Sequence, residues 1–144
     1  MFNIKPIALV GGTVVCAVGF LLIIPLITEL IYQTGSWQSY AVPILLYLIV
    51  GGSLVITNKN VELKISIKEA FIITVLSWVL LAILCAIPFI YTQLKLSVVD
   101  AIFESMSGIT TTGATILNNI DNLPKGILIW RALLQWLGGI GIVV

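Results

Sequence analysis

Apolar and polar positions alternate along this chain in blocks too long for a soluble fold. No charged residue lies between Pro6 and Thr28, or between Ala70 and Leu94. A third uncharged stretch runs between Glu29 and Lys59, with a polar dip at Gln33-Thr34-Gly35-Ser36-Trp37-Gln38-Ser39 in its first half. A helix needs about 20 mostly apolar residues to cross about 30 Å of hydrocarbon. The pattern predicts three spans, at residues 6–28, 40–57 and 70–92. Trp37, Tyr40 and Tyr47 suit anchoring the second at an interface. A cleaved signal peptide over residues 1–28 fits poorly, since only Lys5 precedes the run, the run is too long, and no A-x-A site follows.

The segment from Lys95 to Lys125 differs. Ser97-Val98-Val99-Asp100 fits a capping box with Asp in the acidic position. Ala101, Ile102, Phe103 and Met106 follow at helical spacing, and the helix is expected to end near Ser107-Gly108. A helix that short cannot span but can be re-entrant. Ile109-Thr110-Thr111-Thr112-Gly113-Ala114-Thr115 comes next, and its successive threonines favour extended backbone. Asn118 to Pro124 is turn chemistry. Gly126 to Val144 reads as a fourth span carrying Arg131, the only arginine, and the string Gly138-Gly139-Ile140-Gly141.

Composition sharpens this picture. The chain has 144 residues, of which 60% are hydrophobic and 9% charged, with no histidine; its mean hydropathy is +1.18. Soluble domains average roughly 45–50% apolar and about 25% charged residues. A soluble enzyme, a disordered tail and a nucleic-acid binder are therefore excluded. Without histidine there is no zinc cluster of the usual kind and no Ser–His or Cys–His nucleophile. Cys16 and Cys85 sit inside apolar runs and read as packing residues. The same reading covers Gly11, Gly12, Gly19, Gly51 and Gly52; Pro25 and Pro88 read as breakers tolerated near span ends.

Lysines set the expected orientation. Lys5 precedes the first span, and Lys59, Lys64 and Lys68 follow the second; Lys95 and Lys125 fall on the other side. The positive-inside rule then places the N-terminus and residues 58–69 in the cytoplasm, and the Thr-rich loop faces outside.

The order membrane helix, short helix, polar strand, membrane helix has a physical use. Non-helical backbone at membrane depth must be buried in protein or line a watery cavity. The C-terminal end of the short helix carries partial negative charge, which favours a cation. Backbone carbonyls of an extended threonine stretch can replace the water shell of an alkali ion. No Asp or Glu lies between Ser105 and Ile120, so a carboxylate ring is absent from this stretch. An extramembrane loop bearing a surface helix fits the same spacing. Arg131 either snorkels to the headgroups or pairs with Glu104 on the short helix.

Asp100-Ala101-Ile102-Phe103-Glu104-Ser105-Met106-Ser107-Gly108-Ile109-Thr110-Thr111-Thr112-Gly113-Ala114-Thr115 resembles the first pore loop of the Trk/Ktr/HKT potassium transporter superfamily, and is most similar to its bacterial TrkH branch. Trp130 to Val144 resembles the helix that follows that loop, and the two extra N-terminal spans also resemble TrkH proteins. The resemblance implies an all-α integral membrane protein: a helix pair (1–57), a cytoplasmic loop (58–69), and one helix–pore helix–filter–helix unit (70–144). It implies potassium uptake across the cytoplasmic membrane and no enzymatic activity. Carbonyls of Thr110, Thr111, Thr112 and Gly113 would line the ion path, with Thr111 and Thr112 as the foremost potassium ligands. Glycine at the position of Gly113 is associated in the family with preference for potassium over sodium. Implied partners are the remaining pore repeats, a cytosolic nucleotide-binding regulatory subunit, and a second copy in a homodimer; no organic cofactor is implied. The family carries four pore units in one chain, and this sequence contains one and no internal repeat. It is expected to be an N-terminal portion supplying one of four filter strands. The other classes left open are a non-transporting fragment or assembly module, and a homotetrameric cation channel.

Overall fold

The computed structural model describes residues 4–61, 66–94 and 96–143. They form six α-helices: α1 (Ile4–Leu21), α2 (Ile23–Tyr32), α3 (Gln38–Asn58), α4 (Ile67–Tyr91), α5 (Val98–Ile109) and α6 (Lys125–Val143). A 3₁₀ turn at Ile120–Asn122 precedes α6. No strand occurs among the described residues. Three helical stretches are long and apolar enough to cross a membrane: Lys5–Tyr32, Gln38–Asn58 and Ile67–Tyr91. The protein is an all-α membrane protein.

The first of these stretches is α1 and α2 in sequence, joined through Leu22. Leu22 keeps right-handed helical angles, and its N–H still donates to the Val18 carbonyl (3.0 Å). The discontinuity there has a local cause: Pro25 offers no N–H, and its ring crowds the carbonyl of Leu21 one turn earlier. The helix continues past Thr28 to Tyr32, so Glu29 lies inside it and is buried. The span expected to end at residue 28 thus runs on through Glu29; its carboxylate finds partners within the protein, and a charge so held need not end a helix.

Helices α1 and α3 are antiparallel, with Gly12 against Leu54 and Gly51, and Gly19 against Tyr47 and Leu48. A Cβ on Gly12 would fall 2.7 Å from Leu54 Cβ, and one on Gly51 would fall 2.8 Å from the Gly12 carbonyl oxygen. Lipid tails are as apolar as these side chains, so close backbone approach rather than a hydrophobic drive must hold such helices together. Gly52, expected to pack likewise, has nothing within 4 Å of a Cβ, and Gly11 meets only Leu80 at 4.0 Å.

Helix α4 sits between the helix pair and the rest, and its carbonyls receive donors from every side. Pro88 deprives the Leu84 carbonyl of its helical donor. The Tyr47 hydroxyl of α3 supplies one, at 2.8 Å. Ser39 Oγ donates to the terminal Tyr91 carbonyl (2.7 Å), Ser105 Oγ to Ala82 (2.8 Å) and Trp130 Nε1 to Cys85 (3.0 Å). The start of α4 is fixed by a capping box: Ser66 Oγ accepts from the Glu69 N–H, and Glu69 Oε2 accepts from the Ser66 N–H. The sequence pattern S-x-x-E was available there and is stronger than the one read at Ser97.

Antiparallel packing puts Lys5, Lys59 and Lys68 at one end of the bundle and Lys125 at the other. Lys64 and Lys95, used above for orientation, lie outside the described residues.

Candidate functional site

Helix α5 begins where expected. Ser97 adopts extended angles, and its Oγ accepts from the Asp100 N–H (3.2 Å) while donating to Asp100 Oδ2 (2.7 Å). It ends at Ile109, one residue past the expected Gly108. A Cβ on Gly108 would press into Leu134 of α6 at 2.8 Å, and a Cβ on Gly138 would land on the Ile109 carbonyl. Two glycines, one on each helix, thus let α6 lie directly on the end of α5.

Thr110 to Gly113 do not form the extended strand expected from threonine preference. Thr110 has φ −84° and ψ 1°; Thr111 has φ +58°, Gly113 has φ +75°, and Thr112 between them is not in the positive region. The reason is the exposed carbonyl end of α5. The N–H of Thr110 donates to Met106, that of Thr111 to Gly108, and those of Thr112 (3.1 Å) and Gly113 (3.4 Å) both to Ser107. Helix ends leave carbonyls without partners; here the loop supplies the donors by winding back. The N–H groups face the helix, and among the described residues the carbonyls of Thr111, Thr112 and Gly113 accept no hydrogen bond. Thr110 O accepts from the Thr111 hydroxyl (2.7 Å). A β-branched residue at positive φ costs of order 1–3 kcal/mol and tends to mark functional backbone. The stretch 110–116 is exposed.

Two side chains of α5 fix the loop from behind. Ser107 Oγ donates to the Ala114 carbonyl at 2.6 Å, so this residue holds the loop by both its backbone and its hydroxyl. Glu104, fully buried, accepts at Oε1 from the Thr115 hydroxyl (2.6 Å) and the Ile116 N–H (2.7 Å). Its Oε2 lies 3.0 Å from Arg131 Nε, with Arg131 14% exposed. That contact is an ion pair by distance without hydrogen-bond alignment. The structure therefore brings Glu104 and Arg131 together behind the loop and sets Thr110, Thr111, Thr112 and Gly113 on its open side. The Glu104 carboxylate is thus held by two donors beside a cation, while the open side carries main-chain carbonyls and the hydroxyls of Thr110 and Thr112, 2.9 Å apart.

Sequence reasoning missed Ser107 and Glu29. Ser107 is one of several small polar residues in the motif, and nothing in its spacing marks it. Glu29 reads in sequence as the edge of a span, because charges ordinarily bound spans.

Known proteins share this architecture. The family described as TrkH, cation transport protein, matches residues 37–144. The Trk system potassium uptake protein TrkH of Escherichia coli (strain K12) is 38% identical over 143 residues, which cover 99% of this chain and 30% of that protein. The Trk system potassium uptake protein TrkG of the same strain is 34% identical over 121 residues, 83% of this chain and 25% of that one. A crystal structure of the potassium transporter TrkH from Vibrio parahaemolyticus matches with a TM-score of 0.91 at 31% identity, over 99% of this chain and 31% of that one. The chain spans about 30% of the length of the TrkH relatives it matches. With three apolar membrane helices, a short helix ending on a threonine–glycine loop, and a family match over most of its length, the chain belongs to the TrkH family of cation transport proteins.

Proposed function

We propose that this chain contributes one filter strand to a Trk-type potassium uptake system in the cytoplasmic membrane. Carbonyls of Thr110, Thr111, Thr112 and Gly113 coordinate the ion, with Thr111 and Thr112 foremost. One observation carries the reading: positive φ at Thr111 and Gly113, around Thr112, turns successive N–H groups onto α5 and leaves carbonyls without hydrogen-bond donors on an exposed face. Unpaired carbonyls at membrane depth are costly unless an ion or water meets them. A ring of such oxygens suits a dehydrated potassium ion. The names of the relatives, potassium uptake proteins, support the same substrate.

On this reading residues 1–57 form a helix pair, 58–69 a cytoplasmic loop, and 70–144 one pore unit. Lys5, Lys59 and Lys68 at one end against Lys125 at the other favour a cytoplasmic N-terminus and an outward-facing loop. One strand is about a quarter of a coordination shell, so three further strands complete the filter, from further pore repeats or further copies. A cytosolic nucleotide-binding subunit and a homodimer partner belong to the same proposal.

The test is rubidium uptake in potassium-starved cells carrying the full-length transporter. At Gly113 a Cβ meets only Gln135 Nε2, at 3.8 Å, but the backbone is at φ +75°. Gly113→Ser therefore strains the backbone without a steric clash. It is expected to lower potassium-over-sodium discrimination about tenfold, a cost of about 1.4 kcal/mol. Unchanged flux and discrimination would remove the filter assignment.

A further inference from the structure

A second buried carboxylate has no place in the proposed filter. Glu29 of α2 is 1% exposed, and among the described residues no cation pairs with it. Its Oε1 accepts from the N–H of Gly126 at 3.1 Å, and its Oε2 accepts from the Thr34 hydroxyl. Gly126 is the second residue of α6. A Cβ there would lie 2.6 Å from both Cγ and Oε1 of Glu29. The contact is therefore close, buried and directional, and a side chain at position 126 would have to displace the Glu29 carboxylate. Isolated buried charge costs several kcal/mol; here the Gly126 N–H, at the positive end of the α6 dipole, and the Thr34 hydroxyl offset it.

What Glu29 holds is the helix that backs the loop. Below Gly126, α6 donates from Trp130 Nε1 to Cys85 and places Arg131 on Glu104. Farther down, Leu134 packs against Gly108, and Gly138 against the Ile109 carbonyl. Gly126 to Gly138 covers about 18 Å at 1.5 Å per residue. A helix moves as a rod, so an axial shift at Gly126 is felt at Arg131 and Gly138. Glu104 in turn holds Thr115 and Ile116, and Ile109 leads straight into Thr110.

We propose that Glu29 is a positioning residue for the filter: by gripping the Gly126 N–H it sets the height of α6, and through Arg131–Glu104 and Gly138–Ile109 the placement of the carbonyls from Thr110 to Gly113. The inference rests on those residues being the filter. It makes the N-terminal helix pair part of ion selection rather than a membrane anchor alone.

The experiment uses the full-length transporter in potassium-starved cells. Membrane abundance is measured by immunoblot, and rubidium uptake is competed with potassium and with sodium. Glu29→Ala and Gly126→Ala are expected to lower the ratio of sodium to potassium half-inhibition concentrations at least about fivefold, as small misplacements of binding groups do. Glu29→Gln keeps an acceptor for the Gly126 N–H and is expected to stay within about twofold of the parent. Thr34→Val removes one donor only and serves should Glu29→Ala fail to reach the membrane; it is expected to shift the ratio in the same direction. Reduced uptake with an unchanged ratio, in variants that reach the membrane while Gly113→Ser changes it, overturns the positioning role and leaves the filter standing. A ratio that Gly113→Ser also leaves unchanged overturns the filter and this inference with it.

Discussion

The α1–α3 pair rests on close packing at glycines, whereas the α5–loop–α6 region adds polar contacts to packing of the same kind at Gly108 and Gly138. Between α1 and α3 the backbones meet at Gly12, Gly19 and Gly51, and the hydroxyls of Thr13, Ser53 and Thr57 bond only within their own helices. Around the loop, contacts are polar and reach across elements: Glu104 to Thr115 and Ile116, Ser107 to Ala114, Arg131 to Glu104, Glu29 to Gly126. Helix backbone satisfies itself, so two membrane helices need only fit. Backbone that leaves the helix needs donors and acceptors from its surroundings. Glu104 and Ser107 meet backbone that has left the helix, and Glu29 meets backbone that has only just entered one.

The largest effect expected from breaking this contrast is at Glu104. Glu104→Leu leaves Arg131 without its buried counter-ion and the Thr115 and Ile116 donors without an acceptor. A loss of about 3–5 kcal/mol would show in the thermal unfolding of the detergent-solubilised full-length protein. Replacing Arg131 by Leu as well is expected to recover part of that loss. Next comes Gly51→Leu, which drives a side chain into Cys16 and the Gly12 backbone; overpacking of this kind costs about 1–3 kcal/mol. Tyr47→Phe leaves the Leu84 carbonyl without a donor, and about 0.6–1.7 kcal/mol is expected from measured interhelical bonds in lipid. Smallest is Gly52→Ala, one residue from Gly51 but facing open space. Its melting temperature should match the parent's, or rise slightly through better helix propensity. Equal effects of Ala at positions 51 and 52 would contradict close packing as the basis of the α1–α3 contact.

Much of the fold was legible because a membrane imposes a length on apolar runs. Spans expected at 6–28, 40–57 and 70–92 correspond to helices at Lys5–Tyr32, Gln38–Asn58 and Ile67–Tyr91. The start of α5 was legible from Ser97 and Asp100, since a cap is a local interaction. Three features were not. Glu29 reads as a boundary in sequence because Gly126, the backbone it holds, is distant in the chain. The handedness of Thr111 is opposite to what a β-branched side chain prefers locally, and is imposed by carbonyls at the end of α5. Gly51 and Gly52 are indistinguishable until the facing helix is placed. Each failure has one cause: a tertiary partner overrides a local preference.

The proposed function requires main-chain oxygens of residues 110–113 to hold the ion. Anomalous scattering from rubidium-soaked crystals of the full-length transporter tests that directly. It should give a peak in contact with the carbonyls of Thr111 and Thr112, lost on exchange for lithium. A rubidium peak seated on carboxylates instead, with none at these carbonyls, would contradict it.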